Sequence, residues 1–305
     1  MKLKNISSLK KEQYKILTVF LFIPTILLIL FVIIPLFKLF EFSFTDWNGI
    51  TKSYNYIGFS NFIQIFTKLP NVWLSLKNNA FYFFVHLLFI PIEIIIAYIL
   101  DKKIRGIGFL KKSILLPYII NGVAVSYMFT NIFAPIYVNG ALSMMLNSMH
   151  LESLIQNWLS DPKIVNYCLI FVSLWRYSGF HIILFLAGLQ SIPQELYESA
   201  YIDGARESQI LTFIVLPSII TVIEIVLFLN VRGALQVFDI PFIMTKGGPG
   251  HASSTFTFYT IEMAFKFNNF GIAASMAVIL FILIILISKI QNIIFKWKTK
   301  RYESN

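Results

Sequence analysis

"ILTVFLFIPTILLILFVIIPLF", residues Ile16–Phe37, carries no charged side chain, and Lys2, Lys4, Lys10, Lys11 and Lys15 all precede it. A helix needs about 20 apolar residues to cross the hydrocarbon core of a bilayer. This stretch is long enough to do so. It is too long for a signal-peptide core and has no small-residue cleavage site after it, so it reads as an anchor that stays in the chain. Further runs of the same kind lie at about Ala80–Leu100, Ser113–Ala134, Ile164–Leu189, Pro217–Phe238 and Phe267–Ser288. The expected fold is therefore an all-α integral membrane protein. Six transmembrane helices occupy residues 16–288, between an N-terminal segment 1–15 and a tail 289–305.

Composition supports lipid as the solvent. Of the 305 residues, 57% are hydrophobic, 16% aromatic and only 13% charged. A soluble domain holds about 45–50% apolar residues. The net charge of +10 does not point to nucleic acid, because the basic residues cluster between the apolar runs. Lys102, Lys103, Arg105, Lys111, Lys112, Arg206, Lys289, Lys296, Lys298, Lys300 and Arg301 fall on the same side as the N-terminal lysines. The opposite segments are longer yet hold only Lys38, Lys52, Lys68, Lys77, Lys163, Lys246 and Lys266. By the positive-inside rule both termini are expected in the cytoplasm. The single cysteine, Cys168, sits inside an apolar run and reads as a packed residue, not part of a disulfide or zinc site.

Catalytic constellations are missing from the sequence. "GIGFLKKS" (Gly106–Ser113) lacks the glycine and spacing of a phosphate-binding loop, and its lysines read as headgroup anchors. His86, His150, His181 and His251 show no metal-ligand spacing, and no Gly-x-Ser-x-Gly elbow occurs. No metal, cofactor or catalytic residue is expected. Polar groups inside the spans are then the guide to function, because a charge at mid-bilayer costs roughly 2.5–3.5 kcal/mol on insertion scales. Glu93, Arg176, Glu224 and Arg232 qualify. Each either lines a pathway or pairs between helices, with Glu224 set against an arginine and Glu93 near Lys102.

Between the fourth and fifth spans lies "YESAYIDGARESQILTFIVLP", Tyr197–Pro217. Ser191, Ile192 and Pro193 supply a helix start with a potential cap, and Glu195 and Glu198 suit the positive helix end. Gly204 can close that helix in the left-handed region. A second helix is expected to carry Ile210, Phe213 and Ile214 on one side as far as Pro217, and the small Ser199 and Ala200 would let another surface approach. The acidic content argues against a connector lying on anionic lipid.

Glu198-Ser199-Ala200, three residues, Gly204, nine residues, then Ile214-Val215-Leu216-Pro217 resembles the EAA loop of binding-protein-dependent ATP-binding-cassette (ABC) importer permeases. The one departure is Ser199, where the pattern has alanine. "SFTDWNG" (Ser43–Gly49), "IGFSNF" (Ile57–Phe62), "TKGGPG" (Thr245–Gly250) and "LAGLQSIPQELYESAYIDGA" (Leu186–Ala205) are similar to the maltose-type sugar permeases, in their shorter six-span form. The resemblance implies that loop 191–217 forms a cytoplasmic coupling helix seated in an ATPase, with Glu198, Ser199, Ala200, Asp203, Gly204, Leu216 and Pro217 as coupling residues. By position it also implies sugar contacts at Ser173, Arg176, Tyr177, Phe180, Asn230, Gly233 and Ala234. The implied partners are a second permease, two ATPase subunits that bind the ATP, an extracytoplasmic binding protein and a small solute. A sugar or oligosaccharide is the expected solute. Glycerol phosphate or a polyamine is the alternative, and a membrane-embedded sensor or enzyme a different class.

Overall fold

A computed structural model describes residues 2–102 and 107–303, with side chains described over 10–102 and 107–295. The whole of Lys103, Arg105 and Gly106, and the side chains of Lys2, Lys4, Lys296, Lys298, Lys300 and Arg301, lie outside the described residues. In chain order the helices begin with α1 (Lys2–Leu28), which runs through a π turn at Ile29–Ile33 into α2 (Ile34–Ser43). Next come α3 (Ser60–Lys68), α4 (Pro70–Asp101), α5 (Ile107–Ile119), α6 (Gly122–Ile132), α7 (Ala141–Ser148) and α8 (Val165–Leu189). The short α9 (Gln194–Ile202) and α10 (Glu207–Ile210) lead through a π turn at Leu211–Val215 to the one-turn α11 (Leu216–Ser218). The chain ends with α12 (Ile220–Gln236), α13 (Asp239–Met244), α14 (Phe256–Phe265) and α15 (Phe270–Glu303).

Among the described residues, 5 helices are long and apolar enough to cross a membrane, or 6 if one bent pair counts as a single span. That pair is α5 and α6, which meet at 94°. The continuous third span expected at Ser113–Ala134 is therefore corrected to two half-helices. Asn121 makes the break: its side chain accepts the Val123 N–H at 2.8 Å and caps α6, so the backbone restarts there. The fifth span is also reshaped. It begins at Ile220, beyond Pro217, and reaches Met244 through α13.

The chain divides into two compact units. In the first (1–65 and 263–279), the Asn61 amide donates to the carbonyls of Ser43 (3.1 Å) and Thr45 (2.8 Å). Ser275 donates to the Ser43 carbonyl at 2.7 Å, so one buried amide and one hydroxyl bind the motifs "SFTDWNG" and "IGFSNF" to the start of α15. Asp46 accepts both the backbone N–H (2.7 Å) and the amide (3.1 Å) of Asn55, which holds its carboxyl below the usual range.

In the second unit (66–262 and 280–305), α4 packs along α8 and α12, and α5 along α8. Two buried apolar clusters result. One joins Ile90, Ile94 and Ala97 of α4 to Phe185 and Leu189 of α8 and to Ile210 and Val215. The other joins Tyr82 to Val125, Phe129, Leu169, Val172 and Ile240. Between them, α4 and α8 face each other with polar side chains. The loop "TKGGPG" is pinned to itself: Ser253 donates to the Gly248 carbonyl at 2.6 Å, and Lys246, Gly247 and Gly250 all take positive φ.

Candidate functional site

The polar gap between the two clusters is a cavity of about 410 Å³. Of the residues that the resemblance placed on the pathway, Ser173, Tyr177, Phe180, Asn230, Gly233 and Ala234 all line it. On α8, positions 173, 177 and 180 recur at the spacing of one helical face, which turns all three toward α12. Phe180 stacks on Tyr118 of α5 with ring centroids 4.5 Å apart and planes 10° from parallel. The Asn230 amide donates to the Phe83 carbonyl at 3.4 Å, and a Cβ at Gly233 would meet nothing within 4 Å. Arg176 is the exception: it does not line the cavity but braces it, donating to the Tyr177 hydroxyl at 3.1 Å and to the Asp239 carboxylate.

Several lining residues were not anticipated: Tyr82 and His86 of α4, Tyr118, His181, Gln236 and Asp239. His86 Nε2 sits 3.0 Å from Ser173 Oγ. The intramembrane charges sort themselves accordingly. Glu93 pairs with His181 (3.1 Å), while Lys102 goes to Glu207 (2.9 Å), which corrects the expected neighbour of Glu93. No arginine meets Glu224 among the described residues, since Arg176 is held by Asp239 and Arg232 Nε donates to Gln236 at 3.2 Å. The pairing expected for Glu224 is therefore corrected. Its backbone carbonyl instead accepts from Gln291 at 2.9 Å. The spacing of Tyr82, His86 and Glu93 was the available signal, because i, i+4 and i+11 fall on one face of α4.

The second candidate is the elbow α9–α10. Gln194 donates to the Glu198 carboxylate at 3.0 Å, one turn along the exposed face. Gly204 takes φ +75, the left-handed turn that closes α9, with nothing within 4 Å of a Cβ placed there. Ser199 is exposed and donates to the Leu196 carbonyl at 3.1 Å, whereas Ala200 is buried against the chain's own core. Leu216 packs against the same core, and Pro217 opens the single turn of α11. Asp203 and Gly204 border a shallow depression with Gln209, Phe213 and Ile214.

Two expectations about the elbow are corrected. Ser191 does not cap α9: the N-cap is Pro193, which has no side-chain bond to give, and Ser191 turns back to the Gly188 carbonyl at 2.7 Å. Ile210 and Phe213 do not share a face either. Ile210 is fully buried and Phe213 is 75% exposed, because the π turn at Leu211–Val215 widens the helix where an α-helix would have kept them together.

The elbow is tied to the end of α4 by Glu207. Its carboxylate accepts from Tyr98, from Lys102 (2.9 Å) and from Tyr201 (3.3 Å). The Tyr98 and Lys102 bonds hold that carboxyl below its usual range.

No protein-family model matches the chain. A search among characterised proteins finds a multiple sugar-binding transport system permease protein of Streptococcus mutans serotype c, 34% identical over 276 residues, which covers 89% of this chain and 92% of that one. A probable ABC transporter permease protein of Pyrococcus horikoshii is 31% identical over 270 residues, covering 87% and 90%. Among solved structures, a bacterial ABC transporter involved in the import of the acidic polysaccharide alginate superimposes with a TM-score of 0.82 over 95% of this chain and 98% of that one. At 23% identity that likeness establishes the fold. With multiple apolar spans and two relatives above 30% identity along nearly their whole length, the chain belongs to the family of ABC transporter permeases, as a multi-pass membrane protein.

Proposed function

We propose that this chain forms one half of the solute pathway of an ATP-driven, binding-protein-dependent importer for a sugar or oligosaccharide. The observation that carries the reading is the composition of the cavity. Tyr118 and Phe180 offer a stacked aromatic face for sugar C–H surfaces, and Ser173, Asn230 and His86 offer hydrogen bonds for hydroxyls. The sugar-transport relatives support it. A polyamine finds less support, since Asp239, the one carboxylate lining the cavity among the described residues, is already paired with Arg176 and the cavity also holds Arg232. A second permease subunit completes the pathway, a binding protein delivers the solute, and two ATPase subunits hydrolyse the ATP. The elbow, with Glu198, Ser199, Asp203 and Gly204 on its outer side, is the seat of one ATPase.

The test is uptake by the assembled importer. Tyr177→Ala or Asn230→Ala should slow uptake several-fold, the equivalent of about 1 kcal/mol for a lost contact, with ATPase stoichiometry unchanged. Normal uptake across a substrate series in both variants would return these residues to helix packing.

Orientation follows from the basic residues, with both termini and the elbow on the cytoplasmic side. In a Cys168→Ser background, an impermeant thiol reagent added to intact cells should label Gly250→Cys and spare Gly204→Cys. Gly250 and Gly204 are both exposed, so accessibility alone does not separate them. Equal labelling would end this topology.

A further inference from the structure

The pathway residues that the resemblance implied lie on α8 and α12, yet the wall where α4 meets α8 holds the least explained chemistry in the molecule. Glu93 is 1% exposed, and both of its carboxylate oxygens face His181 Nδ1, at 3.1 and 3.4 Å. A carboxylate can only accept, so Nδ1 carries the hydrogen of that bond and Nε2 is the nitrogen left over. Nε2 has no hydrogen-bond partner among the described residues, and His181 lines the cavity. Tyr82 of α4 lines the same wall, is 1% exposed, and has a buried hydroxyl with no hydrogen-bond partner among the described residues. A buried hydroxyl left unsatisfied is uncommon and costs stability, so its persistence calls for a partner that comes and goes. The other imidazole in the lining, His86, shares its Nε2 with the Ser173 hydroxyl, so neither atom stands alone as Nε2 of His181 does.

We infer that this wall determines solute specificity: His181 Nε2 and the Tyr82 hydroxyl each read a hydroxyl group of the transported solute, and Glu93 is a positioning residue that fixes the His181 ring. The inference rests on the cavity being the solute pathway. Its chemistry favours a polyhydroxylated ligand, because a phenol can donate or accept and the free ring nitrogen supplies one further directed bond. A site built to bond a hydroxyl discriminates strongly against an analogue lacking it.

The experiment uses the full importer in proteoliposomes, with maltose, trehalose, lactose and diacetylchitobiose as probes, then the monodeoxy derivatives of whichever is imported. The readout is the ratio of uptake rates for parent sugar and deoxy derivative. Discrimination by the binding protein is common to all variants and cancels when their ratios are compared. Tyr82→Phe should lower that ratio about fivefold for one deoxy position, the effect of one lost hydrogen bond. The double variant Glu93→Leu/His181→Phe should do so for another position. It removes both partners, so no carboxylate is left buried alone. Glu93→Gln should keep the parent ratio, since its amide oxygen still accepts from Nδ1–H.

Unchanged ratios in Tyr82→Phe and in the double variant would overturn the inference. If Tyr177→Ala and Asn230→Ala slow uptake in the same preparation, the pathway reading survives that loss. If those two variants also import at the normal rate, both readings fall.

Discussion

Importers carrying Glu198→Lys or Gly204→Asp should contain the permease at its normal level in the membrane but lose bound ATPase, or retain it without hydrolysis coupled to import. The argument differs at the two positions. Glu198 is exposed, and its one side-chain hydrogen bond among the described residues comes from Gln194, so charge reversal leaves the fold intact. Placed against a basic or hydrogen-bonding group of the ATPase, a lysine would convert a charge-assisted bond into a repulsion, at a cost of several kcal/mol. At φ +75, Gly204 occupies a backbone region where an L side chain costs about 1–2 kcal/mol. A Cβ there would touch nothing within 4 Å, so the effect would come through the turn and not through a clash. Stoichiometry of the purified complex in lipid, with hydrolysis stimulated by the loaded binding protein, decides the matter. A drop of tenfold or more in stimulated hydrolysis is expected for Glu198→Lys, as about 1.4 kcal/mol already gives a factor of ten. Normal stoichiometry, stimulation and uptake in both variants would show that the elbow merely connects two spans.

The second large effect is expected at Gly179, and it concerns packing. A Cβ at this position would lie 1.9 Å from the Ile114 carbonyl oxygen of α5. The obstacle is backbone, so α5 and α8 must separate to admit even an alanine. Overpacking of this kind costs about 1–3 kcal/mol. Because Tyr118 of α5 and Phe180 of α8 stack across that contact, the cavity would change shape along with the stability. Gly179→Ala should lower the thermal midpoint of the purified chain and slow uptake. Gly233→Ala is the control, since its Cβ would have open space. Equal midpoints for the two variants would refute the close approach of α5 and α8.

The spans were legible because a bilayer imposes length and apolarity on every crossing helix, and runs such as Ile16–Phe37 satisfy both. The bend at Asn121 was not, because one asparagine among Ile119, Ile120 and Val123 barely disturbs an apolar run. Its capping geometry appears only once the chain direction is known. The cavity was half legible. Residues of α8 and α12 could be placed by spacing from recognisable motifs, whereas His86 and Glu93 meet partners 87 and 88 positions away. Charge complementarity alone mispaired Glu224 and Glu93, since the sign of a charge says nothing about which helix face it occupies. The elbow shows the same division. The turn at Gly204 followed from chemistry local to the sequence, but the π turn that separates Ile210 from Phe213 depends on how the helix meets the core.

The broken third span has an electrical consequence. A continuous helix would carry its two poles out to the membrane surfaces, but the break opens a fresh amino-terminal pole where α6 begins, at Gly122. Such an end behaves roughly like half a positive charge. The Arg176 guanidinium lies against that glycine, so close that a Cβ there would fall 2.5 Å from Nη1. Two positive ends therefore abut, and the Asp239 carboxylate, bonded to Arg176, is the counter-ion of the guanidinium. Withdrawing Asp239 would leave a backbone dipole and a side chain repelling each other, so one carboxylate on α13 offsets the charge gathered where α6 meets α8.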